Sequence, residues 1–269
     1  MNNQDYFYLR FPVQILKCEF GNISKVCSDA IAYGMMDYME RNEYEGIQGL
    51  IRTYNDFNMS YGSFKRSDYS DQPKQAIDHL EELHYAKCYK QKSERYNELK
   101  DSIDKSITCS IKINLLLDFL NNKKSEFEIA VFRFFVALNS ILGISKYGQT
   151  TYDRVFAVMF GYNTDKVLEK DGLKMALLTD IEHGIYLKYS TRKIREKITT
   201  TLQMDYYLKW YPAGKRGNFY SFKLGRRALA TIVETVKSND RKRKNALIGA
   251  NKKAKEWAVN ELKTNGLYY

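Results

Sequence analysis

The residues best suited to metal chemistry lie in one short stretch, HLEELHYAKC, at residues 79–88. His84 and Cys88 are four residues apart and would share a helical face, close to His79, and Glu82 could add a carboxylate. A structural zinc site needs a fourth ligand at a suitable spacing, and none follows here. We therefore predict no metal site and no cofactor.

Other catalytic signatures are missing from the sequence. It contains no phosphate-binding loop of the type G-x-x-x-x-G-K-[ST], no G-x-G-x-x-G after a strand, no H-E-x-x-H and no G-x-S-x-G. The His-hydrophobe-His triplet of rolling-circle relaxases is also missing. The carboxylate pairs Glu81–Glu82 and Glu126–Glu128 lie among basic or polar neighbours. We predict that the protein is not an enzyme.

Positive charge is the strongest chemical signal, because it is concentrated in one segment. The 269 residues carry 43 Lys and Arg against 32 Asp and Glu, a net charge of +11. Residues 186–256 hold 19 of the basic and 5 of the acidic residues, so the rest of the chain is slightly acidic. Such clustering is typical of a polyanion-binding region. Nucleic acid is the expected partner, and the alternatives are a solvated basic face, an acidic protein or a membrane surface.

The segment YSTRKIREKITTTLQ, at 189–203, has the pattern of an amphipathic helix with Ser190 or Thr191 as its N-cap. Ile194, Ile198 and Leu202 recur every four residues and predict a buried face. The other faces are basic and polar. We predict that they contact DNA through Ser190, Thr191, Arg192, Lys193, Arg195, Lys197 and Thr199.

A hairpin is predicted directly after this helix. YYLKWY and FYSFKL are short aromatic runs on either side of PAGKRGN, where Gly214 and Gly217 permit a tight turn. We expect the core face of this hairpin to consist of Leu208, Trp210, Phe222 and Leu224. The basic residues Lys215 and Arg216 at the tip, and Arg226 and Arg227 after the second strand, complete the predicted DNA-binding set.

The rest of the chain predicts mainly helices with a small β component. Residues 6–20 read as a strand with Pro12 at an edge, and helical spacing follows at 23–39 and 74–106. Ser125 and Glu128 form a capping-box pattern ahead of an apolar helix that Gly143 ends. Two further helices are expected, one ended by Gly161 and one ended at His183–Gly184.

From residue 125 to 236 the predicted order is three helices, a basic helix, a hairpin and a helix. This order resembles winged-helix DNA-binding proteins, and the setting is similar to replication initiators and regulators of plasmids and mobile elements. The resemblance implies YSTRKIREKITTTLQ as recognition helix, YYLKWY and FYSFKL as wing strands and PAGKRGN as wing tip.

The sequence thus predicts a non-catalytic, cytoplasmic protein that binds double-stranded DNA as a replication initiator or transcriptional regulator. The predicted domains are a mostly helical region of unknown role at 1–110, a winged-helix-like domain at 111–238, and a basic tail at 239–269 that is a weak helix or partly disordered. A second copy of the chain is a further candidate partner, and a membrane is not. The alternative is a scaffolding protein whose winged-helix-like domain docks an acidic protein.

Overall fold

The computed structural model describes residues 8–57, 59, 66–69, 71–102, 107–162, 178–212 and 217–264. They fall into two compact units. The first lies within Met1–Ser145 and Thr151–Tyr207, and the second within Lys146–Thr150 and Leu208–Tyr269. Most described residues are helical, and the strands form two small antiparallel sheets, which confirms the predicted fold class at that level.

The first unit is built from eight helices and two strands within its described residues. Their bounds are β1 Tyr8–Pro12, α1 Ile23–Arg41, α2 Gly46–Asp56, α3 Lys74–Ser102, β2 Thr108–Lys112, α4 Ile113–Asn121, α5 Glu126–Leu142, α6 Tyr152–Met159, α7 Asp180–Tyr189 and α8 Arg192–Asp205. Short 3-10 turns lie at Val13–Leu16 and Arg66–Tyr69.

Strands β1 and β2 pair antiparallel, with Leu9 opposite Ile111 and Phe11 opposite Cys109. All four of these side chains are buried, because alternate residues of each strand face α1 and α5. Gly34 lets α1 approach β1 closely, since a Cβ at this position would lie 2.9 Å from the Leu9 Cβ. The absence of a side chain at Gly34 therefore determines how closely α1 packs on the sheet.

Charged side chains fasten α3 to α1. Arg95 donates from Nε and Nη2 to the two carboxylate oxygens of Asp29, both at 2.7 Å, and from Nη1 to Glu98. The next residue of α3, Tyr96, and Lys100 one turn later both donate to the carboxylate of Glu40 in α1. The planar guanidinium matches the carboxylate geometry at Asp29, so this contact also fixes the register of the two helices.

Helix α5 forms the centre of the first unit. Its N-terminus has the predicted capping box, in which Ser125 Oγ accepts from the Glu128 N–H and Glu128 accepts from the Ser125 N–H. Gly143 ends it at a φ of +52°, a conformation that favours glycine. Between these caps Phe132 and Phe134 are fully buried.

Arg133, between those two phenylalanines, is also fully buried. Its guanidinium donates to the carbonyl oxygens of Leu16 at 2.9 Å and Glu19 at 3.1 Å, and more weakly to that of Met159 at 3.4 Å. The guanidinium carbon also lies 4.9 Å from the centre of the Phe20 ring. A buried cation thus joins the loop before α1 to α5 and α6.

The second unit contains a three-stranded sheet and one long helix. The strands are β3 Gly148–Thr150, β4 Lys209–Pro212 and β5 Asn218–Ser221, in the spatial order β3-β5-β4, and the helix is α9 Arg226–Thr264. Phe219 of β5 packs with Leu229 and Val233 of α9, and Tyr211 and Val236 border this cluster. Ser221 Oγ donates to the Lys146 carbonyl at 2.6 Å and so ties β5 to the chain before β3.

The central place of β5 changes the predicted core of the hairpin. Leu208 is buried as expected, but Trp210, Phe222 and Leu224 are only partly buried. Phe219 and Tyr220 are buried instead, since a strand with neighbours on both sides and a helix on one face can bury consecutive residues. The prediction had assumed a two-stranded ribbon with one covered face.

Two boundaries differ from those expected from sequence. Helix α7 begins at Asp180, where Thr179 and Glu182 form a capping box. It continues through His183 and Gly184, the predicted end of a helix, as far as Tyr189. Helix α9 runs without a break past residue 238, where the prediction placed the start of the basic tail. Within the described part of the first unit, residues 8–112 share contacts with α4–α8.

Candidate nucleic-acid interface

The predicted recognition helix is α8, and its inner face is apolar as expected. Ile198 and Leu202 are fully buried and Ile194 is partly buried, in a helix that packs against α5. The rings of Phe135 of α5 and Tyr206 at the end of α8 pack at a tilt of 33°, with 4.4 Å between the ring centres. These contacts hold α8 to the first unit along one side and leave the other side to solvent.

The exposed side of α8 carries three of the predicted DNA contacts, Arg192, Lys193 and Lys197. Arg192 Nε donates to Glu196 at 2.9 Å in a surface pair one turn apart. Lys197 extends over the Phe127 ring, with Nζ 4.4 Å from its centre. Both contacts are surface interactions that a phosphate could replace at small cost.

Arg195 is more constrained than its neighbours. It is partly buried, with the guanidinium carbon 4.6 Å from the centre of the Tyr152 ring and the Nε without a hydrogen-bond partner among the described residues. Stacking on an aromatic ring holds the arginine plane in one orientation. The partnership with Tyr152 could not be predicted, because no sequence pattern links positions 43 residues apart.

Thr199 does not belong to this surface, and the prediction that it contacts DNA is wrong because the residue is buried. Only 3% of the residue is exposed. Its hydroxyl donates to the Arg195 carbonyl at 2.8 Å and lies 3.3 Å from the Tyr152 hydroxyl. The side chain is on the inner face next to Ile198, where a threonine satisfies its hydroxyl against the preceding turn.

Ser190 and Thr191 form the corner between α7 and α8. Ser190 is partly buried and ends α7, with its N–H donating to the Tyr186 carbonyl at 2.8 Å. Thr191 is exposed and takes the N-cap position of α8, although its side chain makes no capping hydrogen bond. Only these two residues connect α7 to α8.

Some basic charge near this corner is already used within the unit. Lys188 of α7 donates to both carboxylate oxygens of Glu126 at 2.7 Å, and this hydrogen bond lowers the pKa of Glu126. Burial raises the pKa of the adjacent Tyr189 to about 12, with a smaller contribution from Glu126. Tyr189 therefore stays a neutral core residue and Lys188 serves as a fastening between α7 and α5.

In the second unit the hairpin pairs Trp210 with Tyr220 and Tyr211 with Phe219. Gly217 has a φ of +92°, in agreement with its predicted role in the turn. The predicted tip residues Lys215 and Arg216 lie outside the described residues.

Arg226 and Arg227 form the first turn of α9, and both are exposed. The N-terminus of a helix carries partial positive charge and prefers acidic side chains, so two arginines there do not serve helix stability. Further along, every residue of α9 from 241 to 261 is exposed. The basic run 241–244 and Lys252, Lys253 and Lys255 therefore lie on a solvent-accessible helix.

The remaining chemical candidates are weaker. His84 Nε2 lies 3.6 Å from Cys88 Sγ, but the described part of the chain holds no group of three His, Cys, Asp or Glu residues arranged around a metal position. Within the same residues, each helix is too short or too polar to cross a membrane. Comparisons with protein-family models, curated proteins and solved structures gave no match to this chain.

Proposed function

We propose that the protein binds double-stranded DNA without catalysing a reaction, as a replication initiator or transcriptional regulator of a plasmid or mobile element. The observation that carries this proposal is the two-sided character of α8. Its buried side holds Ile198 and Leu202, and its exposed side presents Arg192, Lys193 and Lys197. This helix lies in the one segment of the chain that holds all the excess positive charge.

The order of elements supports a winged-helix interpretation. Among the described residues from α5 to α9 the order is α5, β3, α6, α7, α8, the hairpin of β4 and β5, and α9. Strand β3, which follows α5, pairs with the second strand of the hairpin and makes the sheet three-stranded. A hairpin closed into a sheet by an earlier strand is the arrangement expected of a wing, and α7 and α8 supply the helix-turn-helix connection.

The proposed mode of binding follows from groove dimensions. The major groove of B-DNA is about 12 Å wide and admits one helix. The N-terminal residues of a recognition helix reach base edges most readily, which favours Ser190 to Lys193 for base contacts and leaves Lys197 for phosphates. Lys215, Arg216, Arg226 and Arg227 act as additional phosphate contacts in this proposal.

A salt titration of duplex DNA binding tests the proposal. A protein that neutralises about six phosphates should show a slope near roughly −5 in a plot of log affinity against log salt concentration. We expect Arg192→Gln/Lys193→Gln to weaken binding, because it removes two positive charges from the part of α8 proposed to enter the groove. Lys197→Gln should reduce the magnitude of the slope by about 0.9, since it removes one proposed phosphate contact.

The matched control is Lys87→Gln/Lys90→Gln, which removes the same charge from exposed positions of α3. It should leave affinity and slope close to those of the unmodified protein. An affinity that does not change with salt contradicts the proposal, and an equal loss in both variants contradicts the assignment to α8. Charge reversal at Lys215 and Arg216 separates DNA binding from docking of an acidic protein. DNA retention should fall if the protein binds DNA, and should not change if the domain docks an acidic protein instead.

A further inference from the structure

The distal part of α9 is a helix without a core of its own. Every residue from 241 to 261 is exposed, including large apolar side chains: Leu247 is 62% exposed and Trp257 is 67% exposed. Helices of this length are marginal in water unless an apolar face packs against something. The exposed apolar residues therefore indicate a partner for this segment.

The apolar residues form a defined stripe, which consists of Leu247, Ala250, Ala254 and Trp257. Their spacing of three and four residues is the seam pattern of paired helices. The stripe continues the face on which Leu229, Val233 and Val236 pack against the sheet of the same unit. The same face of α9 is thus apolar in two stretches, which Asp240 and Arg243 separate, and only the first stretch is covered within the described chain.

The ends of the stripe are charged with opposite signs. Arg243 lies four residues before Leu247, and Glu261 lies four residues after Trp257. The spacing of the six positions therefore reads the same in both directions. An antiparallel second helix of the same sequence places Leu247 opposite Trp257, Ala250 opposite Ala254, and Arg243 opposite Glu261.

We propose that this stripe is the interface of a homodimer in which the distal parts of two α9 helices pair antiparallel. A two-fold axis near residue 252 makes the interface self-complementary, as a symmetric dimer requires. The two Arg243–Glu261 pairs set the orientation and register, because a parallel pair would bring like charges together at both ends.

Size and packing are compatible with a specific interface. Residues 243–261 span about 28 Å of helix, and the central alanines allow the axes to approach to about 8 Å. The two Trp257 side chains supply about a third of the roughly 1,000 Å² that a specific association needs. Lys253 lies at the edge of the stripe near its symmetry mate, a repulsion that screening by salt reduces.

The proposed dimer does not depend on the proposed DNA binding, but it is compatible with a dimer that binds DNA. Arg241, Lys242 and Lys244 lie off the stripe and stay accessible to phosphates. A symmetric dimer also carries two copies of α8, which is the requirement for reading two half-sites.

Sedimentation equilibrium of the full chain, nuclease-treated and free of nucleic acid, tests the proposal. We expect a monomer–dimer equilibrium that Arg243→Glu weakens about tenfold or more, because two ion pairs become two repulsions. Glu261→Arg should have the same effect. The double variant Arg243→Glu/Glu261→Arg should restore the dimer, since the swapped charges pair again.

The control Arg241→Glu makes the same change in net charge on the side of the helix away from the stripe, two residues or about 200° from Arg243, and should leave the equilibrium nearly unchanged. Orientation is read from oxidised Ala250→Cys/Ala254→Cys by mass mapping of the cross-link, with residue 250 joined to residue 254 of the other copy as the expected product. A monomer at all concentrations, an Arg241→Glu effect equal to that of Arg243→Glu, or a double variant that is not restored would each overturn the proposal. Because no DNA is present, these outcomes are independent of DNA binding.

Discussion

Replacing the buried Arg133 by methionine is the most informative change for the stability of the first unit. Methionine keeps most of the apolar stem but removes the guanidinium that donates to the carbonyl oxygens of Leu16, Glu19 and Met159. The loop before α1 would lose its polar connection to α5, and its carbonyl groups would be left without those donors in a buried site. We therefore expect the folded state to be destabilised.

The magnitude follows from two opposing contributions. Hydrogen bonds to a charged group contribute about 1.5–3 kcal/mol each, so the loss of the two shorter bonds costs about 3–6 kcal/mol. Burial lowers the pKa of Arg133, which shows that the charged form is disfavoured there, and removing the charge recovers part of that cost. A net loss of about 3 kcal/mol in the free energy of unfolding is the expected result.

Urea denaturation followed by circular dichroism measures this loss, and hydrogen exchange of the amides of residues 17–22 locates it. Arg41→Met is the control, because Arg41 makes only a surface pair with Asp37 and should cost about 0.5 kcal/mol or less. Arg133→Lys should not restore stability, since an ammonium cannot reproduce the planar fork. An Arg133→Met variant as stable as the unmodified chain would refute the reasoning, because the hydrogen bonds would then only offset desolvation.

Two further changes test the electrostatics of α1 and the backbone at the end of α8. A hydrogen bond from Tyr96, and a smaller effect from Lys100, lower the pKa of Glu40 below its usual 4.5. The contribution of Glu40 to the free energy of unfolding should therefore be complete above about pH 4.5 and be lost as the carboxylate is protonated at lower pH. Glu40→Gln should flatten this decline in urea titrations between pH 3 and 7, and identical acid profiles of the two proteins would count against the assignment. Tyr207 has a φ of +58° and is 74% exposed, so its side chain adds little packing while its backbone lies in the left-handed region. Because glycine adopts that region without strain, Tyr207→Gly should be about 1 kcal/mol more stable than Tyr207→Ala in thermal or urea unfolding. Equal stability of the two variants would mean that this backbone conformation is not strained.

Local patterns predicted the helices well. The apolar spacing at 23–39 corresponds to α1, Ser125 and Glu128 form the expected capping box, and Gly143 ends α5. Each of these features depends on residues within a few positions of one another, so the sequence contains the whole cause. The capping box of Thr179 and Glu182 at the start of α7 depends on neighbouring residues in the same way.

Pairings between distant segments were not predictable in the same way. Strand β3 has only three residues, and its partner β5 lies about seventy positions later. Without β3 the strand β5 would lie at an edge of the sheet, and the burial of both Phe219 and Tyr220 cannot be foreseen. Thr199 was misplaced for a related reason, because helical spacing does not say how far the inner face of α8 extends toward Tyr152.

The use made of basic residues differs along the chain, and this difference bears on function. In the first 145 residues Arg41, Arg95, Lys100 and Lys124 form ion pairs with acidic side chains, so their charges serve the fold. Within the described part of the segment 186–256, Lys188, Arg192, Lys237 and Lys252 also form ion pairs, whereas Lys193, Arg226, Arg227 and the run 241–244 form none. Like charges crowded on exposed helices repel one another and lower stability slightly. Charge that the fold does not use, at positions where it is unfavourable, supports the proposed binding of DNA.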